Sequence, residues 1–554
     1  MAWRRKVRVG VAKIGVKNFA ILVGGLGLVF LAFFVATYGS SANAGTASGA
    51  TSSEELGQVS FPNSCKAEAH PALLKGLALL HSFQYGQSER AFKAAADLDA
   101  GCAMAYWGKA MALYHQLWDF PQRHTMQRGL ESVEQAQKIG APSARERGYV
   151  AAAAAFYAGD EKLSHVQRTT VYSQALARLR AEAPEDVEAS AFYALSLVAL
   201  AGEDVDVMAN RKKAMAILEP LFAAHPDHPG VAHYLIHAAD RPGLADQGLG
   251  AARAYAKIAP DSSHALHMPS HIFTRLGLWQ ESIASNVAAT AAAAHATEMH
   301  QSESHYQTHA MDFLDYAYLQ SGLESKARAL ATEEMNVRGS EEEERAQHRA
   351  VVEARNAMEL HRWKEAAGLT VPPGRESSQD TTYWARAIGA ARSGDVEGAR
   401  AAVKKLAEIV ALREGESKAT GYEGAGGKAT DLGEAEAWLA FAQGDGARAV
   451  ELMRPVADRE DAKGVENTTM PAREMLGDML LELKRPGDAV AEYKVVLAES
   501  PNRFDALLGA AQASQAAGDA HSARKYYSKL AEIADPAAER AELQEVRRHL
   551  ASAD

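Results

Sequence analysis

Near the C-terminal end of this 554-residue chain the same kinds of residue return every 34 positions. Leu476-Gly477, Ala489 and Tyr493 lead to Pro501, and a second unit starting near Phe504 carries Gly518, Ala523 and Tyr527. Small residues let two helices approach, an aromatic ring fills the space between them, and Pro or Gly ends each helix. A period of that length constrains the fold strongly. Each unit is a supersecondary element that cannot bury its apolar face alone, so the units must stack. The grid continues upstream through Gly444/Ala449, Gly394/Ala399, Trp363/Ala366 and Gly322/Ala327, then Pro226 and Pro260, and near the start Ala69 to Ala100 with Phe92 and a further unit opening at Trp107/Tyr114. This predicts roughly ten to twelve helical hairpins. The chain is too long for one compact core. Abundant alanine with only 7% aromatics favours packed helices over a sandwich or barrel.

The Leu-Gly, small, aromatic and terminal-proline positions resemble those of the tetratricopeptide (TPR) family, in an exported bacterial form. The resemblance implies an all-α, right-handed superhelical solenoid of TPR-like helical hairpins with a concave groove that binds a protein or peptide, an inference by analogy of fold. The chain divides into a basic segment at 1–18, an apolar signal or anchor helix at 19–38 and a flexible Gly/Ser/Ala/Thr tether at 39–60. N-terminal hairpins span 61–228, histidine-rich central repeats 229–335, degenerate hairpins 336–460, and regular repeats with a capping helix 461–554. Three interruptions are expected, at 203–210, 297–307 and 415–431.

Residues 1–17 hold six basic side chains and no acidic one, so the remainder stands at −17, the chain's −11 less those six. An acidic body argues against nucleic acid as a partner. The apolar run Phe19–Tyr38 is 20 residues long and is followed by Ala42-Asn43-Ala44, a signal-peptidase pattern. A cleaved signal and a retained inner-membrane anchor both fit, and each exports the body to the periplasm or cell envelope. In an oxidising compartment the two cysteines, Cys65 and Cys102, favour a disulfide pinning the N-terminal cap.

Eleven of the twenty histidines lie between His225 and His309, including the H-x-x-x-H pairs 233/237, 267/271 and 305/309. At that spacing both rings of a pair leave one helix face. On the repeat grid, units start at Pro229, Ser263 and Thr308. The family resemblance then implies that His233, His237, His264, His267, His271 and His309 look into one stretch of groove. Asp240, Arg241, Asp312 and Tyr316 stand nearby, and His305 falls in an insertion.

Three readings follow. Neutral imidazoles suit a divalent transition metal such as zinc, copper, iron or nickel, with Asp240 or Asp312 completing or orienting the shell. Alternatively the groove binds a peptide or acidic ligand, or the rings simply pack and hydrogen-bond one another. Catalysis by a metal-dependent hydrolase or oxidoreductase would need a base, for which Asp240, Glu298 and Glu303 are available. There is no H-E-x-x-H, nucleophile elbow or Walker motif, and the catalytic residues stay unassigned. The aromatics around His81-Ser82-Phe83, Tyr106-Trp107 and Tyr114 to Trp118 read as core. Pro269, within the most histidine-rich helix, is expected to bend it.

Overall fold

The computed structural model describes residues 54–551 apart from 119, 160–162, 202–204, 300–302, 421–427 and 465–467, and without the side chains of 416–429. The basic and apolar N-terminal segments, and the tether up to residue 53, lie outside the described residues. No helix among the described residues is long and apolar enough to cross a membrane.

Every regular element among the described residues is helical. Consecutive helices pair across short turns and each pair stacks on the next, a solenoid of helical hairpins. The expected small–aromatic–small packing is present at both ends. A Cβ on Gly477 would lie 2.8 Å from the Tyr493 ring and one on Gly509 only 2.4 Å from it, so Tyr493 fills the space between helices Ala472–Glu482 and Phe504–Ala516. Phe92 occupies the same niche between Gly76 and Gly108.

Many of the hairpin turns place one residue in the left-handed region. Gly243, Gly277, Gly322, Gly394, Gly444 and Gly518 serve there with φ between 63° and 86°. His361 and Lys484 take that position in two later hairpins, and in the first it is Phe83, with φ of 55°. Its N–H bonds the Leu80 carbonyl and the next N–H bonds Leu79, as Gly322 and Leu323 bond Leu319 and Tyr318. A bulky residue held in this conformation costs about 1–2 kcal/mol.

Several boundaries differ from expectation. The tether gives way to packed chain by Leu56, which is buried: Gln58 N–H donates to the Asp227 carbonyl and Glu55 exchanges bonds with Asp261. Helix Val396–Thr420 runs through the start of the predicted Gly-rich loop. The third histidine-bearing helix starts at Ser304 and not at Thr308, because Glu303 and Ser304 are buried and extend it by a turn. His305 and His309 therefore do share one helix, although His305 is exposed. Pro269 does more than bend its helix: it divides it into Ser263–His267 and Pro269–Arg275 with Met268 at the joint.

The solenoid also touches itself across long sequence separations. The Trp279 indole N–H donates to the Asn502 carbonyl at 2.9 Å, and Asp535 and Glu539 N–H groups donate to the Ser321 and Gly322 carbonyls. Chain around 500–540 thus fills the space beside the 277–322 hairpins.

Cys65 and Cys102 form a disulfide with Cα atoms 4.7 Å apart, joining the segment before helix His70–His81 to the N-cap of Ala103–Ala112. Closing a 37-residue separation restricts the unfolded chain. Cys102→Ser is expected to cost roughly 3–4 kcal/mol, read as an equal loss in urea-unfolding free energy and matched by reducing the wild type. Unchanged stability on reduction would show that the bridge restrains nothing.

Candidate metal centre

His233 and His237 project from helix Pro229–Ala239, His264 and His267 from Ser263–His267, His271 from Pro269–Arg275 and His309 from Ser304–Gln320. They divide into two adjoining groups of three, His233/His237/His264 and His267/His271/His309, each with one ring nitrogen per residue within 4.8 Å of the others. Across the boundary, the His264–His267 and His237–His271 ring centroids are 6.0 and 6.1 Å apart. All six predicted histidines are brought together, whereas His305 joins neither group.

The first group is closed. His233 and His264 are at most 1% exposed and His237 is 6% exposed. The Phe83 ring stands 4.4, 5.5 and 5.8 Å from the His233, His237 and His264 rings. Trp118, Tyr255 and Tyr306 complete the wall. His233 Nδ1–H donates to the His81 carbonyl at 2.6 Å, which leaves a lone pair on Nε2. That Nε2, His237 Nε2 and both nitrogens of His264 are buried without a hydrogen-bond partner. Four orphaned nitrogens in one small volume are costly unless something binds them.

The second group is half-buried at His271 and His309. His267 Nδ1 faces Asn286 Oδ1 at 2.7 Å, and Asn286 spends its amide N–H on the Ser282 carbonyl, so the amide is oriented with its oxygen toward the ring. His267 Nδ1 therefore donates. His271 Nδ1 faces the Asp240 carboxylate at 2.8 Å and must donate too. Both Nε2 atoms are then left as acceptors, yet they point at each other across 3.0 Å. Two lone pairs at that distance repel unless a cation sits between them or beside them.

Burial drives the His233 and His309 rings down to about 3 and the His237, His264 and His267 rings well below their ordinary value. These imidazoles are neutral, the form that binds metal. Burial pushes Asp240 up, but Arg275 and His271 outweigh it and hold the carboxyl well below its usual range.

A third cluster, His81/Glu188/His228, is buried with comparable spacing and went unnoticed in the sequence. Its chemistry differs. Val231 N–H donates to His228 Nδ1, whose Nε2–H then donates to Glu188. His81 Nε2–H donates to the other Glu188 oxygen, and Tyr234 OH donates to His81 Nδ1. Every ring nitrogen is satisfied, so this cluster is a brace holding the turn whose carbonyl orients His233. The one sequence signal for it was His228 in the N-cap position before Pro229.

The expected groove residues are engaged by the chain itself. Asp240 supports His271 and pairs with Arg275. Arg241 donates to the Lys463 carbonyl. Asp312 pairs with Arg355, and the Tyr316 hydroxyl accepts from Arg503. Each of the four is thus held by a neighbouring helix or a distant repeat. Among the proposed bases, Glu298 is exposed and paired with Arg338, and Glu303 is buried among Gln84, Gln87 and Ser263.

Beside Asp312 lies Glu334, whose buried Oε2 has no partner. Burial, with Asp312 and Asp315 adding to it, lifts its carboxyl to about 8. Between its ordinary value of 4.5 and about 8 the folded protein holds a proton that the unfolded chain releases, so stability falls as pH rises through that window. Glu334→Gln is expected to shrink this slope, measured as urea midpoints at pH 5, 6.5 and 8. A variant with the same slope as the wild type would place the proton elsewhere.

No family model matches the chain, and no curated protein is similar to it in sequence. Among solved structures, the human IFIT1 dimer with m7Gppp-AAAA is 12% identical, covering 85% of this chain and 96% of that one at a TM-score of 0.34. Yeast Tom70 is 10% identical, covering 88% and 96%, also at 0.34. At such scores they add nothing to the site, which rests on the chain's own geometry.

Proposed function

We propose that the protein is an exported helical-repeat metalloprotein whose six central histidines form a two-metal centre. The observation that carries this reading is the pair of Nε2 lone pairs held face to face at 3.0 Å, each fixed by a donor bond on the opposite ring nitrogen. Histidine ligands held by a carboxylate or amide on their far side are the usual arrangement at metal sites. An all-imidazole donor set suits zinc, copper, iron or nickel. The open second triad leaves a coordination position for an external ligand, which favours a metal-dependent enzyme over a groove-binding scaffold. Export is supported by the basic and apolar N-terminal segments and by the Cys65–Cys102 bridge.

Elemental analysis of the natively purified protein is expected to give two transition-metal ions per chain, and a folded His233→Ala/His267→Ala/His271→Ala variant none. A wild type that neither carries nor takes up stoichiometric metal would sink the reading.

A further inference from the structure

The two triads differ in what surrounds them. The geometry points to the closed triad, His233/His237/His264, as a three-coordinate site for a monovalent soft cation, copper(I), beside an open triad that accepts divalent ions. This rests on the two-metal reading above.

Three observations carry it. First, the groups facing the closed nitrogens are Phe83, Trp118, Tyr255 and Tyr306 rings. The Tyr255 hydroxyl donates to Ser82 and the Tyr306 hydroxyl to the Phe83 carbonyl, so neither is turned to the three nitrogens as a fourth ligand. Zinc(II) in a protein takes four ligands, the fourth commonly water, whereas copper(I), a filled-shell ion of low charge, is content with three. Second, the site lacks an anion of its own. The charged groups acting on His237 are Asp240 and Arg211, of opposite sign, and Asp240 is already paired with Arg275. The desolvation cost of a buried ion grows with the square of its charge, so an uncompensated divalent ion costs about four times what a monovalent one does. Third, Phe83 takes the left-handed turn position that glycine fills in six other hairpins. His361 and Lys484 take the same position in two further turns, and of these three side chains it is Phe83 that packs against the three histidines. The open triad differs: the His271 side chain is 12% exposed, His309 is partly exposed, and a carboxylate supports one ligand.

The test is anaerobic titration of the metal-free full chain with copper(I) and, separately, with zinc(II), counting bound equivalents and reading the copper(I) coordination number by X-ray absorption. Wild type is expected to bind two copper(I), one of them in three-nitrogen coordination, but only one zinc(II). His309→Ala, which breaks the open triad, is expected to keep one copper(I) and lose zinc(II). Phe83→Gly suits the turn's backbone and admits water to the closed triad, so its zinc(II) count is expected to rise to two. Two equally held zinc(II) ions in wild type, or zinc(II) retained by His309→Ala, would overturn the inference while leaving a two-metal centre in place. Failure of both ions to bind would overturn that reading as well.

Discussion

Arg503→Met is expected to destabilise the protein by about 3–5 kcal/mol and to loosen the contact between its C-terminal and central repeats. The Arg503 guanidinium is fully buried. It donates to Glu474 through Nε at 2.7 Å and Nη2 at 2.8 Å, to Glu359 at 2.8 Å and to the Tyr316 hydroxyl at 2.8 Å. These partners lie on helices Ala472–Glu482, Glu342–Glu359 and Ser304–Gln320, so one cation ties three separate hairpins to the start of Phe504–Ala516. Methionine fills much of the volume but strands two carboxylates, each at most 1% exposed, without their cation. Desolvated charge and not lost packing dominates. The triple variant Arg503→Met/Glu359→Gln/Glu474→Gln is therefore expected to recover a large part of the loss. Because a chain of this length need not unfold in one step, hydrogen exchange across 277–322 and 500–540 is the sharper readout. A loss below 1 kcal/mol, or exchange unchanged in those segments, would show that the repeats are held together by apolar contact alone.

That long-range tie marks where the sequence stopped being legible. The repeat period located helices well, since small residues and aromatics at fixed spacing are local consequences of helix-on-helix packing: Gly477, Tyr493 and Gly509 meet as the pattern says they must. The same grid placed six histidines on neighbouring helices. It could not say what those helices meet on their far side, because some partners come from residues about 200 positions away, such as Arg503 on Tyr316 and Asn502 against Trp279. Nor could it divide six histidines into two triads. That division runs between His264 and His267 on one short helix, and it depends on partners such as Asn286 with no marking in the sequence. A search for repeats lacking their turn glycine would have raised Phe83 together with His361 and Lys484. Asn286 and the His81 carbonyl, which hold the protons of His267 and His233, escaped the sequence, whereas Asp240, which holds that of His271, did not.

Asp240 is the residue on which that distinction turns, and Asp240→Ala is expected to weaken one metal ion and spare the other. The carboxylate lies at the C-cap of helix Pro229–Ala239, accepting from His271 Nδ1 at 2.8 Å and from Arg275 Nε at 2.9 Å. Its bond to His271 keeps the proton on Nδ1, which frees Nε2 for metal, and its charge raises the basicity of that nitrogen. Alanine removes both effects, and loss of such a supporting group typically costs 10–100-fold in metal affinity. The closed triad takes its orientation from a different source, the His81 carbonyl on His233, so its affinity is expected to stay within about threefold of wild type. Asp240→Asn separates the two contributions. The amide oxygen can still accept from His271 and fix the tautomer, but the charge is gone, so a smaller loss than with alanine is expected. Equal weakening of both ions by Asp240→Ala would mean that the six histidines act as one undivided site, and no weakening of either would mean that His271 is not a ligand.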